Sequence, residues 1–214
     1  RINPANNGPH APLVSATGLT VKKIDGGAEI KIAVPPNASM DSPVWSPDGK
    51  WFAVANSTPT AIELYVGSVT SPTLRKVPGV VLNDTIGAPV AWLSSSKELL
   101  VRMVVAGRGA APKPPAVPSG PTVQESSGRA GPVRTYQDML ESPYDEELFD
   151  YYCTSQLASV DVATGRVTKI GAPGIFTSAV PSPDGKHLLV GKIHRPYSYL
   201  HAYASFPRDT EVWD

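Results

Sequence analysis

Apolar and polar positions along the 214-residue chain fall into short runs separated by turn residues, and the runs recur in a fixed order. Residues 29–34 (EIKIAV) alternate at period two and residues 19–24 (LTVKKI) do so loosely, with Asp25-Gly26-Gly27 between them as a turn signal. That pairing predicts a β-hairpin. Residues 42–45, a Pro47-Asp48-Gly49 turn, the apolar run 51–55, and then 63–69 and 73–77 predict four short strands. The order returns with residues 89–93, a polar turn at 94–97 and the run 98–105. After an interruption it continues with 156–162 and 166–170 around Ala163-Thr164-Gly165. A third start follows at 177–181 and 187–193, with 210–213 as a further strand of that unit.

The repeat is also visible residue by residue. VWSPDGKWFAVAN at 44–56 returns as VPSPDGKHLLVGK at 180–192, and the turn at 94–97 occupies the place of PDGK between them. Trp92 lies 47 residues after Trp45, while Pro181 lies 89 after Trp92, so the second unit carries about 42 extra residues. A four-stranded unit recurring every ~40–50 residues is the signature of a β-propeller blade. A β-sandwich with similar turns is the alternative. The order within each unit favours blades: an apolar inner strand, a tight turn, an apolar middle strand and then a more polar hairpin.

The expected fold is therefore all-β, a partial, open β-propeller of three to four four-stranded blades forming a single domain over residues 1–214. Its parts are the outer half of a blade at 1–40, a blade at 41–78, a blade at 88–170 with an insertion at about 107–154, and an incomplete blade at 177–214. A closed propeller takes four to eight blades, so the ring is expected to be completed by further chain. The start at Arg1 rather than Met agrees with a chain cut from something longer.

The insertion differs in composition. Residues 107–132 contain GRGAAPKPPAVPSGP and QESSGRAGP, which suit an extended excursion rather than strand interiors. Such a segment is either a long surface loop or a flap at a rim. Two short helices are expected beyond it. One is capped by Thr135; the other starts at Ser142-Pro143, with Asp145, Glu146 and Glu147 in its first turn and Leu148, Phe149 and Tyr152 turned inward.

Composition adds exclusions. Pro (23) and Gly (18) favour turns over long helices. Lys plus Arg and Asp plus Glu balance at 19 each, so no global field draws the chain to nucleic acid or an anionic membrane. The apolar run 99–106 is broken by Arg102 and is far shorter than the ~20 residues of a membrane span. Cys153 is the single cysteine, which rules out an internal disulfide and a paired-cysteine zinc site. The compartment stays open, with a secreted, periplasmic or organellar one favoured over the cytoplasm.

The search for chemistry yields no catalytic residue. Gly-x-Ser-x-Gly, a Walker loop, His-Glu-x-x-His and Gly-x-Gly-x-x-Gly are all missing from the sequence. His10, His187, His194 and His201 are scattered, so neither a metal nor a cofactor is expected. Asn37-Ala38-Ser39, Asn56-Ser57-Thr58 and Asn83-Asp84-Thr85 match the glycosylation pattern, as chance allows in such a chain. The segment 193–207, IHRPYSYLHAYASFP, carries two His, one Arg and four aromatic residues. It reads either as a crossover packing aromatics or as a loop presenting Arg195 and His194 to an anionic group. YDEELFD at 144–150 reads as a solvated helix face.

WSPDGKWFAVAN, the insertion with PPAVPSGP, RTYQDMLESPYDEELFDYYCTSQLASVDVATG and SPDGKHLLVGKIHRPYSYLHAYASFPRDTEVWD together resemble the propeller domain of the glutamyl endopeptidase branch of the prolyl oligopeptidase family. The likeness runs from about Trp45 to Asp214, and Arg1-Ile2-Asn3 also fits it. It implies a parent serine peptidase in which an N-terminal propeller covers a C-terminal α/β-hydrolase domain and gates access of peptide substrates. That hydrolase domain, with its Ser, Asp and His triad, lies outside this sequence, so the chain alone is expected to be inactive. Preference for Glu would require a cation at the substrate carboxylate, for which Arg195, His194 and Arg134 are the candidates. The alternative is a non-enzymatic propeller that binds a protein partner through the Pro-rich excursion and an outer edge.

Overall fold

The computed structural model describes residues 2–9, 15–116 and 139–214. Strands β1 (Ile2–Asn3) and β2 (Gly8–Pro9) form a small antiparallel ribbon, and β3 (Leu19–Val21) pairs with β4 (Ile30–Ile32) as the expected hairpin. The first complete sheet is a four-stranded meander of β5 (Val44–Trp45), β6 (Trp51–Ser57), β7 (Ile62–Ser68) and β8 (Leu74–Val81). Next come β9 (Val90–Trp92) and β10 (Glu98–Val104), the helix α1 (Pro143–Cys153), and β11 (Ser155–Asp161). The chain continues through β12 (Val167–Pro181), β13 (Leu188–Ile193) and β14 (Arg208–Trp213), each antiparallel to its neighbour. The result is a partial β-propeller.

One expectation needs correction. Residues 166–170 and 177–181 read as separate strands, but β12 runs unbroken through both. Its first half pairs with β11 as far as Gly174, and its second half pairs with β13 from Ile175, so one strand is the outer edge of one blade and the inner strand of the next. Gly171, Pro173 and Gly174 lie between the two expected strands. In the structure they form an irregular stretch with a register shift between Ser155 and Leu157 opposite, which lets the strand bend without ending. A second correction concerns the first inner strand: β5 is only two residues long, and Trp45 is 53% exposed rather than buried.

The repeated SPDGK is a turn wired the same way in both copies. In the first, Ser46 N donates to Trp51 O at 2.9 Å, Trp51 N donates to Ser46 Oγ at 3.0 Å, Gly49 N donates to Ser46 O at 2.9 Å, and Asp48 Oδ1 accepts from Ser46 Oγ and Lys50 N. Ser182, Asp184, Gly185 and His187 repeat the pattern. Gly49 and Gly185 have φ of +67° and +71°, a left-handed conformation that strains residues with a Cβ. In the intervening turn Ser96 takes that position at φ +57°, which explains why the turn was recognisable by place but not by sequence. Its hydroxyl accepts from Asp48 N at 3.0 Å, joining the turns of adjacent blades.

Faces of neighbouring sheets supply the core. Ala53, Leu64 and Val66 of the first blade pack with Trp92, Leu99, Val101 and Val160 of the second, and Trp92 Nε1 donates to Val44 O at 2.8 Å across the seam. Leu157, Phe176 and Val190 join the second blade to the third, with Trp213 edge-on to Phe176 at 5.8 Å. Because these side chains are close-packed and dry, truncating one leaves a cavity the sheets cannot collapse into. Leu99→Ala is expected to lower unfolding free energy by ~2–5 kcal/mol in a guanidinium titration.

Candidate functional site

Helix α1 forms where the sequence places its start signals. Ser142 is the N-cap, extended at φ −151°, with its hydroxyl accepting from Asp145 N, and Pro143 occupies the first turn where its missing N–H costs nothing. Asp145 Oδ2 accepts from Glu141 N at 3.0 Å and from Ser142 Oγ at 2.9 Å, which ties the residue before the N-cap to the first turn. Phe149 turns inward onto Tyr197 and Phe206 at 5.0 and 5.5 Å, while Cys153 is the one fully buried residue of the helix. Burial pushes its thiol up to about 12, so it acts as a small apolar side chain and not as a nucleophile. The other expected helix, at Thr135, lies outside the described residues, as does Arg134.

The C-terminal end of α1 has no basic residue of its own, and its last carbonyls are instead met by three distant segments. Tyr152 O accepts from Asn7 Nδ2 and Asn83 Nδ2, both at 2.9 Å, and Asn83 Nδ2 also lies 3.1 Å from Thr154 O. Arg108 Nη1 donates to Tyr151 O at 3.2 Å, Nη2 donates to Asn7 Oδ1 at 2.8 Å, and the guanidinium sits 4.2 Å above the Tyr151 ring. A cation at this end opposes the helix dipole. The first residues of the insertion are tied to the same helix by Tyr151 Oη to Gly109 O and Tyr144 Oη to Pro112 O. Asn7, Asn83 and Arg108 escaped sequence reading because their partners lie 145, 69 and 43 residues away. Asn83 carried only a chance match to the glycosylation pattern; at 1% exposure its amide is structural, and so is that of Asn56.

Arg195 faces the outer side of α1. Nε and Nη2 bond Asp150 Oδ2 at 3.0 and 2.7 Å, and Nη1 bonds Glu146 Oε2. Tyr197 Oη donates to Asp150 Oδ1 and its ring stacks on Phe206 at 5.1 Å; burial and the Asp150 bond push the phenol above its usual range. His194 Nδ1 lies 2.7 Å from Arg195 O, and Nε2 is 3.7 Å from Asp209. One cation thus stands between two carboxylates of its own chain. The segment 193–207 is a crossover with a 3₁₀ turn at Tyr203–Ser205, and Tyr197 and Phe206 of it pack on α1.

Where the inner strands begin, Asp84 lies near Asp41 and Arg102. Burial first, and then Asp41, raise the Asp84 carboxyl to about 6 against the pull of Arg102. Arg102 is buried on β10 and donates to the carbonyls of Ile86 and Phe176, tying the second blade to the third. Among the described residues no group of three or more His, Cys, Asp or Glu could hold a metal ion, and no described helix is long and apolar enough to cross a membrane.

Two outcomes follow from this geometry. Asn83→Ala removes one donor from Tyr152 O and one from Thr154 O and is expected to cost ~1–3 kcal/mol in a denaturant titration. Asp84 holds its proton more tightly folded than unfolded, so its contribution is fully present at acid pH and is lost as pH rises through about 6. Asp84→Asn is therefore expected to match the parent near pH 3.5 and to exceed it by ~1–2 kcal/mol above pH 7, after allowance for partial solvent screening.

No protein-family model matches the chain. It is 38% identical over 214 residues to a probable glutamyl endopeptidase, chloroplastic, of Oryza sativa subsp. japonica, an alignment covering 92% of this chain and 22% of the relative. It is 36% identical over 217 residues to the protein of the same description from Arabidopsis thaliana, covering 96% and 21%. The chain thus spans about a fifth of the length of the curated relatives it matches. Among solved structures it superposes on Pyrococcus horikoshii acylaminoacyl peptidase with a TM-score of 0.53 at 17% identity, covering 92% of this chain and 26% of that one. It superposes equally, at 15% identity and 92% and 45% coverage, on the β-propeller domain of the trilobed protease from Pyrococcus furiosus, which has an open velcro topology. At such identities these two likenesses speak for the fold alone. The resemblance read from the insertion, YDEELFDYY and IHRPYSY thus holds: in sequence the chain is similar to a segment of the glutamyl endopeptidases, and in fold it is a partial β-propeller like those of peptidases.

Proposed function

We propose that the chain is part of the substrate-gating propeller of a serine peptidase that cleaves peptides after Glu, with catalysis carried by an α/β-hydrolase domain elsewhere in the protein. The observation that carries this reading is the match of nearly the whole chain to about a fifth of the glutamyl endopeptidases. A second feature agrees with a larger assembly. Val180, Leu189 and Val212 pair across β12, β13 and β14 and form an exposed apolar row, opposite the face that carries Val190 and Trp213 to the second blade. The equivalent face of the first blade is buried against its neighbour, so the row suits a further blade.

Within this reading Arg195 acts as a tether and not as the receptor of a substrate carboxylate. Each of its nitrogens already faces Asp150 or Glu146, and the cluster keeps a net negative charge that would repel a Glu side chain. His194 supports the same crossover from the far side. The test uses the full-length enzyme. It is expected to hydrolyse a short peptide after Glu far faster than the same sequence inside a folded domain, and equal rates would remove the gate. Arg195→Ala is expected to leave the ratio of cleavage after Glu to cleavage after Gln unchanged while lowering thermal stability. Collapse of that ratio would make Arg195 the specificity residue after all.

A further inference from the structure

Trp45 and Trp92 hold the same place in successive blades. Each ends an inner strand just before the tight turn: Ser46 N donates to Trp51 O as Leu93 N donates to Glu98 O, and Trp45 pairs with Phe52 as Trp92 pairs with Leu99. Their surroundings differ. Trp92 is 8% exposed, and its Nε1 donates to Val44 O on the inner strand of the blade before it. Trp45 is 53% exposed, stands edge-on to Phe52 at 5.7 Å, and among the described residues its Nε1 has no acceptor.

The face that carries Trp45 is covered in part. Val54 and Tyr65, opposite each other on β6 and β7, pack with Leu74 of β8 on Ala16, Leu19 and Val34, which belong to the β3–β4 hairpin and its flanks. Over β5 the face is bare, with Val44 and Trp45 both exposed. The hairpin is itself half of a sheet: β3 pairs only with β4, whereas β7 in the first blade lies between β6 and β8. An exposed indole beside an unpaired strand edge is a surface that strand addition covers. The β1–β2 ribbon marks where an added strand would end. Asn6 Nδ2 donates to Thr58 O at 2.9 Å and Gly8 lies against Ile62, so the ribbon stands beside the turn at which β6 gives way to β7.

We infer that the bare face at Trp45 is a docking surface for two β-strands of the same protein that directly precede Arg1, the inner pair of the blade whose outer hairpin is β3–β4. One strand pairs with the free edge of β3 and runs into Ile2; the other lies over Trp45 and offers a carbonyl to its Nε1, as Val44 does to Trp92. In both complete blades the inner pair comes before the outer hairpin along the chain, which selects chain ahead of Arg1 over chain beyond Asp214. The inference rests on the larger propeller of the proposed function but not on what that protein cleaves, so it and the peptidase reading can fail separately.

Both tests use the full-length protein. Hydroxyl-radical footprinting, read by mass spectrometry, compares Trp45 with Trp92 in one sample and needs no variant. Oxidation of Trp45 as slow as that of Trp92 is expected; oxidation several times faster, as 53% against 8% exposure gives, would overturn the proposal. To identify the occupant, Trp45 is replaced by p-benzoylphenylalanine and the protein is irradiated. The crosslinked peptide is expected to come from the same molecule, from chain ahead of Arg1, and to show alternating apolar positions. Crosslinks to chain beyond Asp214, crosslinks to a second copy, or a folded variant that forms none would overturn it.

Discussion

The carbonyl oxygen of Tyr152 accepts two side-chain amides from segments 145 and 69 residues away, and much of the candidate site hangs on that meeting point. A helix ends with carbonyls that have no partner within the helix, and in a buried setting each must be satisfied or pay for its lost water. Here the partners are Asn7 from the β1–β2 ribbon, Asn83 from the β8–β9 connection and Arg108 from the start of the insertion. Closing one helix end therefore fixes the ribbon, the entry to the second blade and the near end of the insertion together. Gly8 belongs to the same arrangement, because a Cβ there would come within 2.5 Å of Ile62 Cδ1 and hold the ribbon off the first blade.

Around that point the propeller supplies rigidity. Apolar sheet faces stack blade on blade, and Arg102 adds charge-assisted bonds to the carbonyls of two further segments at the inner edge. On its outer side α1 is fastened to the crossover by Arg195 and Tyr197 through Asp150 and Glu146. The helix is held at its end by amides, on one flank by ions and underneath by Phe149.

The strands were legible because their signal is local. Alternation, Gly in the left-handed turn position and the SPDGK turn act within ten residues, and α1 announced itself through Ser142, Pro143 and Asp145. What failed was the stretch between two expected strands, residues 171–176, through which the pairing on both sides carries β12. The site was less legible. Arg195 and His194 were found as unusual residues, but the carboxylates that occupy Arg195 come from a helix 45 and 49 residues earlier, and no periodicity encodes that pairing. Asn83 gives no sign of its structural role, because a sequence pattern cannot report burial.

The central claim is that the ribbon, the β8–β9 connection and α1 form one cooperative unit fastened at the Tyr152 carbonyl. Amide hydrogen exchange on Asn7→Ala measures it most directly. Faster exchange is expected in α1 and in residues 82–87 together, with β6 and β7 keeping the protection of the parent. Unchanged exchange in α1, or an even loss of protection across all strands, would contradict it.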